Sequence, residues 1–266
     1  MHLRISHSTT YAYDRPVDYA LQQVRLTPKN RKTQNIIEWK IDVEGGRCEL
    51  EYEDQNNNRV TLIRVDEGVE AVAISASGIV ETNDSSGIIG QHGGFAPLWY
   101  FNRSTDLTQA GSGIKKLVSG FSKFGDDDVS RLHALSGKIL EAVGYETGTT
   151  NTATSAEEAL ASGSGVCQDH THILLSAARH LGFPARYVSG YLMLTDQIDQ
   201  DASHAWSEVF IQGIGWLGLD VSNGISPDER YVPIATGLDY LETAPIFGMR
   251  LGAGEESMIV NLQVQQ

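Results

Sequence analysis

The strongest constraint on the fold is the alternation of polar and apolar residues through the first hundred positions. Short alternating runs such as "HLRISHSTTYAYD", "YALQQVRLTP" and "NIIEWKIDVEGG" are separated by Asn, Gly, Asp and Pro. Alternation with a period of two places the apolar side chains on one face of a strand. The stretch "EDQNNNR" predicts a hairpin turn, because Asn tolerates the left-handed backbone conformation of tight turns. We therefore predict a β-sandwich or a strongly bent antiparallel sheet, without clustered acids, bases or nucleophiles.

The pattern becomes helical after "HGGFAPLWYFNRSTDLT". Apolar residues in "DDVSRLHALSGKILEAVGY" recur at steps of three and four, and "SAEEALAS" predicts a short helix with Ser155 as its N-cap. "CQDHTHILLSAARHLGF" is a third helix, "ARYVSGYLML" a strand, and "SHAWSEVFIQGIGWLGLDVSN" a hairpin turning at 212–215. We place a domain boundary between a β-rich domain, 1–105, and a second domain, 106–266.

Charge and composition limit the partners. The net charge of −14 and the pI near 4.9 argue against nucleic acids and anionic membrane surfaces, which are bound mainly through Lys and Arg. Neither an apolar leader nor a run of roughly 20 apolar residues is present, so we expect a cytoplasmic protein. Cys48 and Cys167 lack CxxC spacing, and we expect two free thiols. The oligomeric state stays open.

Cys167 lies in "GSGVCQDHTH", at the start of a helical pattern. It is either a small buried residue beside a glycine turn or a nucleophile. A thiolate is favoured at a helix N-terminus and beside an imidazolium. With Ser164 or Gly165 near the N-cap, Cys167 falls in the first turn, where free N–H groups around Gly165 and Val166 form an oxyanion site.

The neighbouring histidines are poor partners for this thiol. At about 100° per residue, His170 and His172 point about 200° apart around the helix, so both cannot face Cys167. This geometry argues against a zinc site, and we expect neither a metal nor a cofactor. We expect His172 to pack within the domain and His170 to be exposed.

His204 is the better candidate for the base. Even-numbered residues of "SHAWSEVF" share one strand face, and two hairpin registers place Asp220 opposite His204 or diagonal to it, with Cβ atoms about 5 Å or 7–8 Å apart. A carboxylate there could accept the imidazole Nδ1–H and fix its tautomer. The alternative is an ordinary cross-strand surface pair.

Three further features surround this pair in the sequence. Glu208 lies on the same face and is the second-choice carboxylate, while Trp206 either shields the imidazole or is simply a large core residue. Both are candidates for the substrate site. The loop before His204 carries three acidic residues that either line a cleft rim or are only solvated; these are Asp196, Asp199 and Asp201.

Together, "GVCQDHTHILLSAARHLGFPARYVSGYL", "ASHAWSEVFIQGIGWLGLDVSN" and "VPIATGLDYLETAP" resemble the bacterial transglutaminase-like superfamily of papain-like cysteine enzymes. "LRISHSTTYAYDRPV" and "VRLTP" resemble its β-rich N-terminal domain. The resemblance implies an α+β fold: a papain-like core, with the cysteine-bearing helix packed on an antiparallel sheet, after an all-β domain. The family usually continues its Asp with Pro-Thr-Asn, whereas this chain has "DVSN".

The family's order of Cys, His and Asp implies that Cys167 is the nucleophile, His204 the base and acid, and Asp220 the orienting carboxylate. The implied reaction is acyl transfer on a peptide or protein amide, without a metal, through a thioester that passes to water or to an amine. We expect hydrolysis by an amidase or peptidase. Gln–Lys crosslinking and a non-catalytic binding or assembly module remain alternatives.

Overall fold

The computed structural model describes residues 1–121, 127–200, 202–251 and 254–266. The strands are β1 (His2–Tyr13), β2 (Tyr19–Thr27), β3 (Gln34–Glu44), β4 (Gly46–Glu53), β5 (Arg59–Val65), β6 (Ala71–Thr82), β7 (Ile88–Gly90), β8 (Gly144–Tyr145), β9 (Ser164–Gly165), β10 (Ala185–Leu192), β11 (Asp199–Gln200), β12 (His204–Ile211), β13 (Gly215–Leu219), β14 (Tyr231–Gly237), β15 (Ile246–Leu251) and β16 (Glu256–Gln265). The α-helices are α1 (Ser112–Val118), α2 (Asp128–Ala142), α3 (Ala156–Ser162), α4 (Cys167–His180) and α5 (Tyr240–Thr243), and two 3₁₀ helices span Leu98–Asn102 and Asp106–Thr108.

The N-terminal half forms two antiparallel sheets, as its alternating pattern predicts. One has the strand order β11-β16-β1-β6-β3 and the other β15-β2-β5-β4. Apolar residues from β1, β2, β5 and β6 pack together between the two sheets. Among them, Ile63 and Ile74 have no solvent exposure. The predicted turn connects β4 to β5, where Asn57 has a φ of 59°. Its side chain is small and polar enough for this left-handed conformation.

The last two strands return to the N-terminal sheets. β16 pairs with β1 from Arg4↔Gln265 to Tyr13↔Glu256, and β15 pairs with β2. Leu262 and Val264 of β16 are buried in a cluster with Leu3 and Ile5. In sheet membership the tail therefore groups with the first half of the chain, and not with 106–266. Whether the two halves fold independently at the boundary near 105 stays a prediction.

The second half packs helices against one antiparallel sheet of order β14-β10-β12-β13-β7. α4 lies on β12, and Ile173, Leu174 and Ala177 of α4 are fully buried in the core. Burial of each large aliphatic side chain contributes about 1.5–3 kcal/mol, so this contact holds α4 against the sheet. The α+β fold, with the Cys167 helix on an antiparallel sheet, is confirmed.

Three local predictions are confirmed. Ser155 caps α3 by accepting from the N–H of Glu158, whose side chain accepts in return from Ser155. The hairpin adopts the diagonal register, with Phe210↔Trp216 and Ser207↔Leu219. The N-cap of α4 is Val166, directly after Gly165, so Cys167 lies in the first turn as predicted; Ser164 and Gly165 are extended and pair with β8 as β9.

Within the described ranges, no helix has the length and apolar character needed to cross a membrane.

Candidate active site

Cys167 is the first residue of α4 and is partly exposed. The N–H groups of Cys167 and Gln168, in the first helical turn, have no acceptor within the helix. Val166 differs, because its N–H donates to Asp169 Oδ2 at 2.8 Å. The predicted use of Val166 as an oxyanion donor through its N–H is therefore wrong. The available donors lie one residue further along, starting at the cysteine itself.

Gly165 was expected to take part in the oxyanion site, but in the structure it allows close packing of Asp169. It is buried, and a Cβ atom there would lie 2.8 Å from both Cβ and Oδ2 of Asp169. Asp169 Oδ2 also accepts from Thr150 Oγ1 at 2.6 Å. The glycine thus makes room for the carboxylate that anchors the segment leading into Cys167, which fixes the position of the thiol.

His204 lies between Cys167 and Asp220. Its Nε2 is 2.6 Å from Asp220 Oδ2, and its ring interacts electrostatically with Cys167. We expected Nδ1 to face the carboxylate, and this is wrong. In the diagonal register Asp220 continues β13 opposite Trp206, so the distal ring nitrogen of His204 reaches it. Nδ1 is the nitrogen left for the thiol.

Asp220 is fully buried and accepts several hydrogen bonds. Besides His204, its Oδ2 accepts from Asn223 Nδ2 at 2.7 Å and Tyr231 Oη at 2.8 Å, and Oδ1 accepts from the Asn223 N–H. Sequence reasoning missed both donors. Asn223 ends the "DVSN" block, which was a usable signal. Tyr231 lies on β14, which two strands separate from β13 in the sheet, and no signal in the sequence pointed to it.

Val221 and Ser222 stand where the family has Pro-Thr, and they connect α4 to the segment that follows β13. Val221 is buried in the core, and Ser222 Oγ is 2.8 Å from His170 Nδ1. His170 Nε2 donates to the Val143 carbonyl, so His170 is buried and the expected exposure is wrong. The reason is that His170 lies on the side of α4 that packs against the residues following β13. His170 thereby links α4 to the segment that carries Asp220.

The expected packing of His172 is confirmed. It is buried against Tyr187, at 5.3 Å between ring centroids, and its Nε2 accepts from the N–H of Tyr240. Burial lowers the pKa of His172 to about 3, so the ring is neutral and serves packing.

Trp206 and Glu208 have separate surroundings. Trp206 is buried and stacks on His204, with centroids 6.2 Å apart, so it both shields the imidazole and belongs to the core. Glu208 is fully buried and pairs with Arg186 Nε at 2.6 Å and Arg31 Nη1 at 3.4 Å. Its carboxylate is therefore engaged by two guanidinium groups, and the second-choice role beside His204 is wrong.

The electrostatics of the site favour the charged forms of His204 and Asp220. Burial opposes a positive charge on His204. Its interactions with Asp220 and Cys167 outweigh the effect of burial and raise the pKa of His204 to about 10. Burial likewise opposes charge on Asp220, yet hydrogen bonds from His204, Asn223 and Tyr231 hold its pKa below the ordinary value. At neutral pH His204 is therefore an imidazolium.

The acidic loop lies partly in a sheet. Asp199 is in β11, which pairs with β16, and its Oδ1 accepts from Gln263 Nε2 at 2.8 Å. Asp196 is exposed, and Asp201 lies outside the described residues. A role for this loop at the cleft rim stays a prediction.

Comparison with known proteins assigns regions of the chain to a family. The model of the transglutaminase-like superfamily core matches residues 115–221, which include Cys167, His204 and Asp220, and the model of the bacterial transglutaminase-like N-terminal region matches residues 3–81. The uncharacterized protein ML0607 of Mycobacterium leprae is 26% identical over 278 residues, covering 98% of each chain. The uncharacterized protein Rv2569c of Mycobacterium tuberculosis is 27% identical over 284 residues, covering 96% of this chain and 90% of the relative.

A solved structure shares the fold over the whole chain. The structure of "a Putative Cysteine Protease from Cytophaga hutchinsonii" superimposes with a TM-score of 0.79 at 23% identity, covering 100% of this chain and 91% of that one. The two matched regions together span more than two thirds of the sequence. The chain therefore belongs to the transglutaminase-like superfamily and carries the family's bacterial N-terminal region.

Proposed function

We propose that the protein is a cysteine-dependent acyl-transfer enzyme that hydrolyses amide or peptide bonds through a thioester on Cys167. One observation carries this proposal. Cys167 begins α4, and His204, which is hydrogen-bonded to the buried Asp220 carboxylate, has a pKa raised to about 10 by its interactions with Asp220 and Cys167. This arrangement matches what an activated nucleophile requires: a thiolate, a positioned acid and a third group that orients the acid.

The reaction follows from the positions of these groups. The Cys167 thiolate attacks the substrate carbonyl carbon, and the free N–H groups of the first turn of α4 stabilise the oxyanion. Imidazolium His204 donates its proton to the leaving amine as the C–N bond breaks, which gives a thioester and a neutral imidazole. Asp220 holds the ring in place through Nε2. Neutral His204 then accepts a proton from water, which attacks the thioester and releases the acid and the thiolate.

Hydrolysis is the simpler outcome because Cys167 is partly exposed. Water therefore reaches the thioester without a further binding site, whereas crosslinking requires a place for an amine. Protein-glutamine transglutaminase activity is an outcome of the experiments below.

Alkylation by iodoacetamide at pH 6 tests the activated thiol. Cys48 is exposed and serves as the internal control for an accessible thiol. We expect Cys167 to react at least about tenfold faster than Cys48, and His204→Ala to remove this advantage. Equally slow labelling of both cysteines would favour a non-catalytic module and contradict the proposal.

A panel of fluorogenic peptide amides, assayed with the wild type and with Cys167→Ala, then tests the reaction itself. We expect hydrolysis that depends on Cys167. Incorporation of dansyl-cadaverine into a glutamine-rich protein, in place of hydrolysis, would instead identify crosslinking.

A further inference from the structure

Tyr145 is an exposed aromatic residue near the thiol that the proposed reaction does not use. It is 56% exposed to solvent. Tyr145 pairs with Gly165, two residues before Cys167, where β8 and β9 run parallel. The N–H of Glu146 donates to the Gly165 carbonyl at 2.8 Å. This two-stranded sheet therefore fixes the backbone of Tyr145 next to the segment that leads into α4.

The ring of Tyr145 lies over the face of α4 that carries Cys167. Its centroid is 6.2 Å from the centroid of the His170 ring. Residues three apart in a helix are neighbours on one face, so His170 and Cys167 share this face. The phenol of Tyr145 also interacts electrostatically with both Cys167 and Asp220. Tyr145 therefore forms a wall of the candidate site, within electrostatic reach of the nucleophile and of the carboxylate that orients His204.

The residue against which the ring packs is held firmly. His170 is fully buried, its Nδ1 is 2.8 Å from Ser222 Oγ, and its Nε2 donates to the Val143 carbonyl at 2.9 Å. Val143 lies two residues before Tyr145, so the same hydrogen bond ties the start of β8 to α4. Strand pairing and the contact with His170 together fix the position of Tyr145. A fixed position is what a group that contacts the reacting atoms requires.

The hydroxyl of Tyr145 is available to a substrate. Among the described residues, none donates to it or accepts from it. The hydroxyl of Tyr231 differs, because it donates to Asp220 at 2.8 Å. Partial burial, followed by the charges of Cys167 and Asp220, raises the pKa of Tyr145 above the ordinary value of a tyrosine. The phenol therefore keeps its proton at neutral pH and is a hydrogen-bond donor.

Acyl transfer requires donors at the place where negative charge develops. When Cys167 Sγ attacks a carbonyl carbon, the charge moves to the carbonyl oxygen, and preorganised donors around this oxygen lower the barrier. The free N–H groups at the start of α4 come from the helix alone. Tyr145 lies on a different element, β8, and supplies a side-chain donor in addition to them.

We propose that Tyr145 is a catalytic residue whose hydroxyl donates a hydrogen bond to the carbonyl oxygen of the scissile bond. The hydrogen bond strengthens as this oxygen becomes negative in the tetrahedral intermediate and weakens again when the thioester forms. Tyr145 keeps its proton throughout, so no covalent bond of the phenol forms or breaks. The inference rests on the proposed function, because it adds a residue to the same site. It applies to hydrolysis and to crosslinking, since both begin with the same attack.

The test compares two reactions of Cys167. p-Nitrophenyl acetate acylates the sulfur through a tetrahedral oxyanion and releases p-nitrophenolate, whose absorbance gives the rate after subtraction of the Cys167→Ala background. Iodoacetamide alkylates the sulfur by displacing iodide and forms no oxyanion. Tyr145→Phe removes the hydroxyl and keeps the ring beside His170. We expect this variant to be acylated about 10- to 10²-fold more slowly, with an alkylation rate within about twofold of the wild type.

Tyr52→Phe is the matched control for the loss of a tyrosine hydroxyl. Tyr52 is 36% exposed and lies on β4, in the sheet of order β15-β2-β5-β4, whereas Cys167 lies in the second half of the fold. The same substitution there is expected to leave both rates unchanged. Tyr145→Ala removes the ring together with the hydroxyl and so measures what the ring contributes.

The outcomes are distinguishable. An alkylation rate of Cys167 that does not depend on His204 overturns the proposed function itself. A His204-dependent alkylation rate, with Tyr145→Phe acylated as fast as the wild type, overturns the role of Tyr145 alone. Acylation that is slow only in Tyr145→Ala would identify the ring as a packing element and also overturn it. An equal loss of both rates in Tyr145→Phe would show an effect on the thiol instead of on the carbonyl oxygen, with the same consequence.

Discussion

At the scale of the residue, the most constrained group is the Asp220 carboxylate. Three donors converge on Oδ2, from His204, Asn223 and Tyr231, and the residue is fully buried. A buried carboxylate with this many donors stays ionised and cannot turn away from the imidazole. The function of Asp220 therefore depends on its charge as well as on its position. Replacement by the neutral amide, Asp220→Asn, removes the charge and keeps the shape, and so separates the two contributions.

We expect Asp220→Asn to keep the fold and to lower peptide-amide turnover by about 10³–10⁴-fold, since the neutral amide no longer stabilises the imidazolium. Tyr231→Phe removes one donor of three and is expected to have a much smaller effect, about tenfold. Steady-state kinetics of both variants provide the comparison. Similar losses in the two variants would mean that the hydrogen-bond network, and not the carboxylate charge, is decisive.

The raised pKa of His204 also predicts a pH dependence of stability. The folded-state pKa of about 10 lies above the value of 6.5 for a free histidine. The stabilisation is therefore fully present below about pH 6.5 and is lost as the pH rises to about 10. Urea unfolding of wild type and His204→Gln should differ by on the order of 2 kcal/mol more at pH 6 than at pH 10. A difference that does not change with pH would contradict the charged pair.

At the scale of the element, Gly190 on β10 determines how closely the sheet approaches the site. A Cβ at Gly190 would lie 2.3 Å from the Val232 carbonyl oxygen and 2.6 Å from the Trp206 ring. Trp206 stacks on His204, so backbone packing between β10 and β14 is coupled to the position of the imidazole.

Gly190→Ala should therefore destabilise the protein by about 1–3 kcal/mol and slow Cys167 alkylation, because overpacking displaces Trp206. Gly137→Ala is the matched control. Gly137 is exposed in α2 and has open space around its Cβ position, so the same change should stabilise by about 0.5–1 kcal/mol. Thermal and urea unfolding measure both. Equal and small effects would show that Trp206 tolerates the methyl group.

At the scale of the whole molecule, the two halves are joined by a buried ion cluster. Arg31, after β2, reaches Glu208 on β12, the strand that begins at His204. Arg186 pairs with the same carboxylate and lies 4.1 Å above the Trp216 ring. The two cations hold the pKa of Glu208 below its ordinary value even though burial opposes its charge.

Removal of one partner should leave the buried Glu208 charge poorly compensated. We expect Arg31→Ala to lower the free energy of unfolding by about 3 kcal/mol, whereas Lys32→Ala, at the adjacent exposed position, should change it by less than about 0.5 kcal/mol. Urea unfolding of the two variants decides the matter. Equal small effects would show that Arg186 alone satisfies Glu208.

The sequence by itself determined the elements and the identity of the candidate site. Alternation predicted the strands, Ser155 as an N-cap predicted the start of α3, and the spacing of His204 and Asp220 predicted a pair on one hairpin face. These features are local, because strand period, capping and hairpin register depend on residues near in sequence.

Only the tertiary structure decided which atoms meet. The choice of Nε2 in the His204 contact depends on the hairpin register that the fold adopts. The burial of His170, the ion pair of Glu208 with Arg31 and the return of β15 and β16 to the first sheets join residues distant along the chain. Tyr231 reaches Asp220 from a strand that is not its neighbour in the sheet. Local patterns contain no information on such contacts, because packing between elements sets them and many packings satisfy the same pattern.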